Sequence, residues 1–588
     1  MRKLLLLLGI PAWFVVACNP ESSTETTVGY HLNDTVSRFD PSIPKKPNIV
    51  WLVAEDLSPY LPSFGDSTIA TPNISRLAEE GVRYSNVFST SGVCAPSRCA
   101  LITGMYPSSI GGHNMRTQYV KAHMDAVGLV LYEVVPPPDV KMMSEIMRMN
   151  GYYCTNNDKQ DYQFAPTATA WDESSSYAHW RNRPDDKPFF SVFNFDVTHE
   201  SQVFKPTSKK NLRYLDEGFP DRSIKYQGSI DSVDWVLHVP EDLDVPVPPY
   251  LPNTAPVLQD IRRVYSNIKV FDEEIGVILA QLEEDSLLDN TIVVLYTDHG
   301  GPLPRQKRLL YESGLKVPMI IRYPGKQGAG VVDDQLISFI DFAPTTFSFA
   351  GVKPPDYIQG QAFAGQYRAT EPRKYIHAAA DRLDDQYDMI RAVRDYRYKY
   401  LRNFKPDQGY YLPVEFREQM ASMQELLHLR DEGKLNDVQM QWFRESKPEE
   451  ELFDTWTDPH EINNLAGDPA YATKLAELRE ECSRWMKAID DKGHIPEKEL
   501  LEQFWPGWKQ PVTEDPTIKL EGTQISLACN TPGASIGYQL LDPDTEPTDH
   551  WSLYTGPVSV PQDKVLVAIA DRIGFKRSNV VRSETHHM

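Results

Sequence analysis

Cysteine is scarce in this chain, with six residues in 588. So few thiols in so large a molecule exclude a disulfide-stapled scaffold. Positive charge is in deficit as well: 60 basic against 82 acidic side chains give a formal charge of −22. That balance argues against a nucleic-acid partner, because such binders present basic surface to phosphate. It is equally unhelpful toward a polyanion, so recognition of an anionic group requires a local basic pocket. After the first residues no apolar run is long enough to span a bilayer. Internal repeats are missing too. What remains is a chain long enough for two or three domains with sizeable cores.

Residues 1–10, MRKLLLLLGI, combine a basic start with a short apolar segment, the pattern of a secretory signal. It ends in Val15-Val16-Ala17-Cys18, which resembles a bacterial lipobox and predicts residues 1–18 as a lipoprotein signal with Cys18 lipidated. Ordinary signal cleavage leaving a free thiol is the alternative. Residues 19–45, rich in Ser, Thr and Glu, read as a flexible tether. The expected location is that of an exported bacterial lipoprotein, in the periplasm or outer membrane or at the cell surface, touching the membrane through its lipid alone.

Asn48-Ile-Val-Trp-Leu-Val-Ala54, Phe189-Phe-Ser-Val-Phe-Asn-Phe195 and Thr291-Ile-Val-Val-Leu-Tyr-Thr297 are short, largely apolar runs. Such runs suit strands of a parallel sheet buried on both faces. Residues 261–282 carry helical apolar spacing, and strands alternating with helices predict an α/β domain over 46–370. Each strand is followed by polar residues: Glu55-Asp56, His199 and Asp298-His299. In open α/β sheets the site lies off the carboxyl ends of the strands, so these groups are placed to converge. Shorter strands from about Lys374 and a helix through 471–489 mark a smaller α+β subdomain over 371–510. Beyond a proline-bearing linker, short alternating runs at 523–530, 535–541, 557–561 and 565–570 predict a small β-sandwich over 516–588. A spacer or packing role for it is favoured over glycan binding.

Ser91-Gly-Val-Cys-Ala-Pro-Ser-Arg-Cys-Ala-Leu-Ile-Thr-Gly-Met-Tyr-Pro107 contains Cys94-x-Pro96-x-Arg98 followed by Thr103-Gly104. This segment resembles the signature of type I sulfatases of the alkaline phosphatase superfamily. In that family the cysteine becomes formylglycine, whose hydrate attacks sulfur in line; a second hydroxyl then expels sulfate. The Leu-Phe-Asp and Asp-Pro-x-Glu-x-x-Asn-Leu segments at 452–465 extend the resemblance over roughly 47–492. Independently of it, a helix starting near Ala95 puts Arg98 one turn from Cys94, with free N–H groups that favour an anion.

Glu55, Asp56, Asp298 and His299, brought to one point, require a cation. Mostly oxygen donors favour calcium, while the imidazole admits manganese and magnesium is a further candidate. The resemblance implies one divalent ion at this place, with the residue derived from Cys94 as a further ligand. It also implies sulfate binding by Lys307, in Lys-x-x-x-Tyr-Glu-x-Gly-x-x-Val-Pro, and by Lys159. Where the family writes Lys-x-His, this chain has Lys159-Gln-Asp161, which puts the usual histidine contact in doubt. His199 is then the candidate general acid, since imidazole titrates near neutrality.

His113, Arg116, Asp161, Trp180 and Arg382 are the candidate substrate-binding residues, arginine suiting oxyanions and tryptophan suiting sugar faces. Taken as a set they resemble bacterial polysaccharide sulfatases. The substrate expected from that resemblance is a sulfated glycan, ulvan-type favoured, with a glycosaminoglycan as alternative, and a formylglycine-generating maturase is an implied partner. A phosphodiester or phosphonate hydrolase of the same superfamily and a glycan-binding lipoprotein with a degenerate site are the competing readings.

Overall fold

The computed structural model describes residues 36–157, 159–184, 186–204, 237–521 and 524–583. The expected signal, Cys18 and tether residues 19–35 lie outside them. An eight-stranded sheet organises the larger part of the chain. Its strands are β1 (Asn48–Ala54), β2 (Val82–Phe88), β3 (Tyr153–Asn157), β4 (Glu173–Ser174), β5 (Phe189–Phe195), β6 (Thr291–Thr297), β7 (Lys316–Arg322) and β8 (Val332–Ser338). They lie in the order β4-β3-β5-β1-β6-β7-β2-β8. Only β7 among them runs antiparallel to its neighbours, β6 and β2.

Both faces of this sheet are covered. Along β1 the odd residues Ile49, Trp51 and Val53 join one apolar core, and the even residues Val50, Leu52 and Ala54 join the other. That is why the sequence of β1 is apolar throughout and does not alternate with polar residues. Helices α1 (Pro72–Glu80), α2 (Cys94–Thr103) and α3 (Ala255–Glu284) flank it. On α3, Val257, Ile261, Val264, Ile268, Phe271, Ile275, Ile278 and Leu282 are buried at three- and four-residue steps, the stripe of a core-facing helix. The helix begins earlier than its apolar spacing suggests, because Pro256 is well placed in a first turn.

A second, antiparallel sheet joins β9 (Ile376–Ala380), β10 (Ile390–Arg394), β11 (Tyr398–Asn403) and β12 (Glu450–Asp454), with α4 (Ala472–Ala488) packed on β10 and β11. Residues 404–449 depart from this hairpin pattern and cross to α3, where Met420, Met423 and Leu426 enter the same core. At that contact the Ser422 N–H donates to Asp260 Oδ2 at 2.6 Å.

Two small antiparallel sheets close the chain, one built on Gln524–Ala528 and the other on Ser535–Leu541 paired with Val565–Asp571. They share a core of Ile525, Leu527, Ile536, Leu566 and Ala568. This pair of sheets is tied down by polar contacts. Lys141 Nζ donates to Gly533 O at 2.7 Å, the Ala168 N–H donates to Asp571 Oδ2 at 3.0 Å, and Trp505 Nε1 donates to Gly574 O at 3.1 Å. Arg148 spans the joint, donating to Trp551 O at 2.9 Å while pairing with Asp172 at 2.9 Å.

The five described cysteines are unpaired. Cys99 sits in the core on α2, and Cys154, on β3, directs its thiol to Ser144 O. Arg148→Ala leaves Asp172 without its cation and frees a carbonyl at the joint. It is expected to destabilise the protein by about 3 kcal/mol, read as an earlier unfolding transition in calorimetry; an unchanged transition would show the joint to be energetically idle.

Candidate active site

Four strands adjacent in the sheet, β3, β5, β1 and β6, end side by side, and each delivers polar groups to one place. Lys159 follows β3, Asn194 and His199 close β5, Glu55 and Asp56 follow β1, and Asp298 and His299 follow β6. A β-strand spacing of about 4.8 Å brings residues far apart in sequence within contact.

Cys94 opens α2 and is 1% exposed. Its Sγ lies 3.3 Å from His299 Nε2 and 3.8 Å from Asp56 Oδ1. One turn on, Arg98 donates through Nε to Asp298 at 2.9 Å and through Nη1 to Asn194 at 2.7 Å, with Glu55 3.7 Å from Nη2. Burial opposes its charge, but Asp298 and Glu55 outweigh this and hold the guanidinium protonated. The helix is pinned to the end of β6 by Ser97 Oγ, which donates to Asp298 O.

Donor atoms of Asp56, Cys94, Asp298 and His299 all lie within 4.8 Å of one another. Glu55 groups separately, with Cys94 and His199. Two features fit a cation here. His299 Nδ1 faces Gly300 O at 3.0 Å, which puts the ring proton there and leaves Nε2 as the donor atom turned to Asp56 and Cys94. Glu55 Oε1 is buried without a hydrogen-bond partner. The carboxylates around His299 also draw it toward its charged form. Burial opposes its charging, yet Asp298 and Asp56 raise its pKa to about 10. The donor set of carboxylates with one imidazole suits a hard divalent ion.

The lysines close on the same carboxylates: Lys159 on Glu55 at 2.6 Å, Lys307 on Asp56 at 2.5 Å. Burial alone would raise the Asp56 pKa, but Lys307 and the two imidazoles hold it well below the usual carboxylate range. Lys307 reaches Asp56 because the chain after β6 folds back tightly. Gly300 and Gly301 pair with Gly314 and Ser313, and a Cβ on Gly300 would stand 2.2 Å from Ser313 O. Behind Lys307 lies a pair the sequence reading passed over. Glu200 takes two hydrogen bonds of 2.8 Å from Arg308 and sits 3.1 Å from Lys307. Its only signal was adjacency to His199.

His199 Nε2 lies 3.3 Å from Lys307 Nζ. Lys307 can only donate, so Nε2 faces it as an acceptor and the ring proton falls on Nδ1, where Ser201 Oγ accepts at 2.8 Å. Burial first, then Lys307, lowers its pKa to about 3.

Glu55, Lys159, Asp161, His199 and Arg116 line one open cleft of about 610 Å³. Three substrate-binding candidates stand elsewhere. Trp180 is fully buried, stacked on Phe189, with Nε1 donating to Asp285 at 2.8 Å. Arg382 is fully buried, forked onto Glu497 at 2.7 and 2.8 Å. His113 is buried beside the Asp381–Arg391–Asp491 cluster. The expectation that these three contact substrate is corrected: none lines the cleft, Trp180 and Arg382 are spent on internal partners, and Arg382 acts on the cleft by holding Met115 O at 3.0 Å and Asp384 O on either side of Arg116. Phe416, from residues 404–449, also lines the cleft and was missed.

Residues 47–179 and 149–352 match the Sulfatase family, and 305–442 match the C-terminal family named for N-sulphoglucosamine sulphohydrolase. Over 552 residues, 92% of each chain, the protein is 52% identical to an ulvan-active sulfatase of Formosa agariphila. It is 24% identical to human N-sulphoglucosamine sulphohydrolase over 504 residues, 79% of this chain and 95% of that one. A solved structure described in complex with its substrate D-glucosamine-2-N,6-O-disulfate shares the fold. Its TM-score is 0.53 at 20% identity, covering 77% of this chain and 100% of that chain. With the sheet, the strand-end cluster and these matches in agreement, the chain belongs to the sulfatase family and is a sulfuric ester hydrolase.

Proposed function

We propose that this sulfatase hydrolyses sulfate esters on a sulfated polysaccharide or its oligosaccharides, ulvan-type glycan favoured, using a formylglycine made from Cys94 by a maturase. The observation that carries this is the position of Cys94: first residue of α2, against His299 and Asp56, one turn from Arg98. The 52% identity to an ulvan-active sulfatase supports the algal class. A glycosaminoglycan substrate is the second reading, favoured by the match of 305–442 to the N-sulphoglucosamine sulphohydrolase C-terminal family. We also propose an exported lipoprotein anchored at Cys18; no described helix is long and apolar enough to cross a membrane.

One divalent ion, calcium on its oxygen donors with manganese or magnesium as alternatives, would be held by Asp56, Asp298, His299 and the Cys94-derived residue, with Glu55 beside them. When bound it supplies Lewis-acid polarisation of the sulfate group, as the formylglycine hydrate supplies a hydroxyl nucleophile. With the charge of Glu55 and Asp56 offset, the ammonium groups of Lys159 and Lys307 would be available to sulfate oxygens. Together with Arg98 they stabilise the charge that gathers on those oxygens during displacement. His199 stands at the mouth of the site, 14% exposed, with Nε2 on the side of Lys307. A bound sulfate that draws Lys307 to its own oxygens would offset the burial and positive field that keep this imidazole neutral, so that Nε2 carries the proton given to the departing sugar oxygen while Nδ1–H stays on Ser201 Oγ.

Cys94→Ala is expected to lower sulfate release by roughly 10⁴-fold or more with an unchanged unfolding transition. Mass spectrometry of the peptide from protein co-expressed with a maturase should show the thiol replaced by an aldehyde. Full activity in the alanine variant would refute the nucleophile. Asp298→Asn, which keeps shape and hydrogen bonding near Arg98, should lose the ion in elemental analysis together with turnover; retention of a stoichiometric ion would remove Asp298 from the ligand set. For His199→Ala the loss should be about 10²–10⁴-fold on a sugar sulfate and much smaller on an activated aryl sulfate, whose leaving group needs no proton. Equal losses on the two esters would move the proton-donor role to Lys159.

A further inference from the structure

Phe416 is an aromatic ring in the catalytic cleft that comes from the second sheet's long connection and has no part in the chemistry above. Its ring is half-buried and stands 6.3 Å from the His199 ring and 5.2 Å edge-on from Phe204, with the Arg116 guanidinium over its face, 5.7 Å from the ring centre. It lines the same cleft as Lys159 and His199.

The single helical turn Glu415–Glu418 presents it. Val414 and Met420 on either side are buried, and the neighbouring Arg417 is locked by its guanidinium over Trp442 at 4.8 Å and Tyr411 at 5.5 Å. Arg417 also donates to Leu412 O. Arg116 is fixed as well, by Asp384 at 3.2 Å and by a left-handed backbone, φ 59°. Residues with strained backbone persist where surrounding contacts over-determine them, and they gather at functional sites. Facing this apolar wall, the cleft offers polar groups from Gln160, Asp161 and Asp196. A pyranose has matching surfaces, an apolar C–H face and a rim of hydroxyls, and aromatic side chains take the former while polar groups fix the latter.

We propose that Phe416 is the stacking platform for the sugar ring that bears the scissile sulfate, with Arg116 closing its edge and donating to an oxygen on the ring's rim. This rests on the carbohydrate reading above and names the residues that would set sugar preference. His199 lies between the platform and the two lysines, so a ring stacked on Phe416 has its ester oxygen beside the proposed proton donor.

The test uses Phe416→Ala, Phe416→Leu and Phe416→Tyr in the full chain, with sulfated oligosaccharides from ulvan as substrate and inorganic sulfate as a competitive inhibitor. The alanine and leucine variants should raise KM roughly tenfold, tyrosine should keep it near the wild-type value, and the inhibition constant for sulfate should stay within about twofold in all three. Leucine fills the volume without a ring face and carries the test if alanine fails to fold. An unchanged KM in both non-aromatic variants overturns the platform, as does a rise in the sulfate inhibition constant that parallels KM. Wild-type enzyme inactive on these sugars but active on aryl sulfate would overturn the carbohydrate reading and the platform with it. A failure of the platform alone shows only in the ratio between variants.

Discussion

Four carboxylates share a buried space at the carboxyl edge of the sheet with four cations, and the site's geometry follows from that balance. Glu55, Asp56, Glu200 and Asp298 face Arg98, Lys159, Lys307 and Arg308 at separations between 2.5 and 3.7 Å. Uncompensated charge in such a place costs several kcal/mol per ion, whereas a paired set roughly breaks even. The arrangement therefore contributes position more than stability. It fixes α2 against β6, draws the Lys307 loop back over β1, and keeps His199 beside the Lys307 ammonium.

The backbone around the cluster bears the strain of this convergence. Asp56, Arg116, Asp161 and Arg308 all adopt positive φ without being glycine. Such conformations cost of order 1 kcal/mol or more each and survive where side-chain contacts hold them. The pairing just described supplies those contacts for Asp56 and Arg308, and Asp384 supplies one for Arg116.

Much of this was legible in the sequence because the informative residues are local to strand ends. Glu55-Asp56 and Asp298-His299 follow an apolar run directly and His199 follows one after a single short turn, and the run identifies the strand while the edge identifies the site. Cys94 and Arg98 are four apart and need only a helix to face one another. Residue type alone misled at Trp180 and Arg382. Their partners, Asp285 and Glu497, lie more than a hundred positions away, and no spacing rule links them. Phe416 escaped notice for the opposite reason: it sits in residues 404–449, whose own pattern is that of an ordinary helical connection. Only the crossing of that connection to α3 carries it to the cleft.

That crossing separates two parts of the molecule that answer to different demands. Cys94 and Arg98 ride on α2 and Lys307 on the return after β6, but the carboxylates and imidazoles they meet follow neighbouring strands whose spacing is set by backbone hydrogen bonds. Phe416 hangs from a loop between β11 and β12, and those strands keep their pairing at Tyr398↔Asp454 and Tyr400↔Leu452 whatever the length of chain between them. Insertions and deletions there leave the hydrogen-bonded register intact. The wall of the cleft is thereby free to drift in sequence and length across descendants of this fold, while its floor is not.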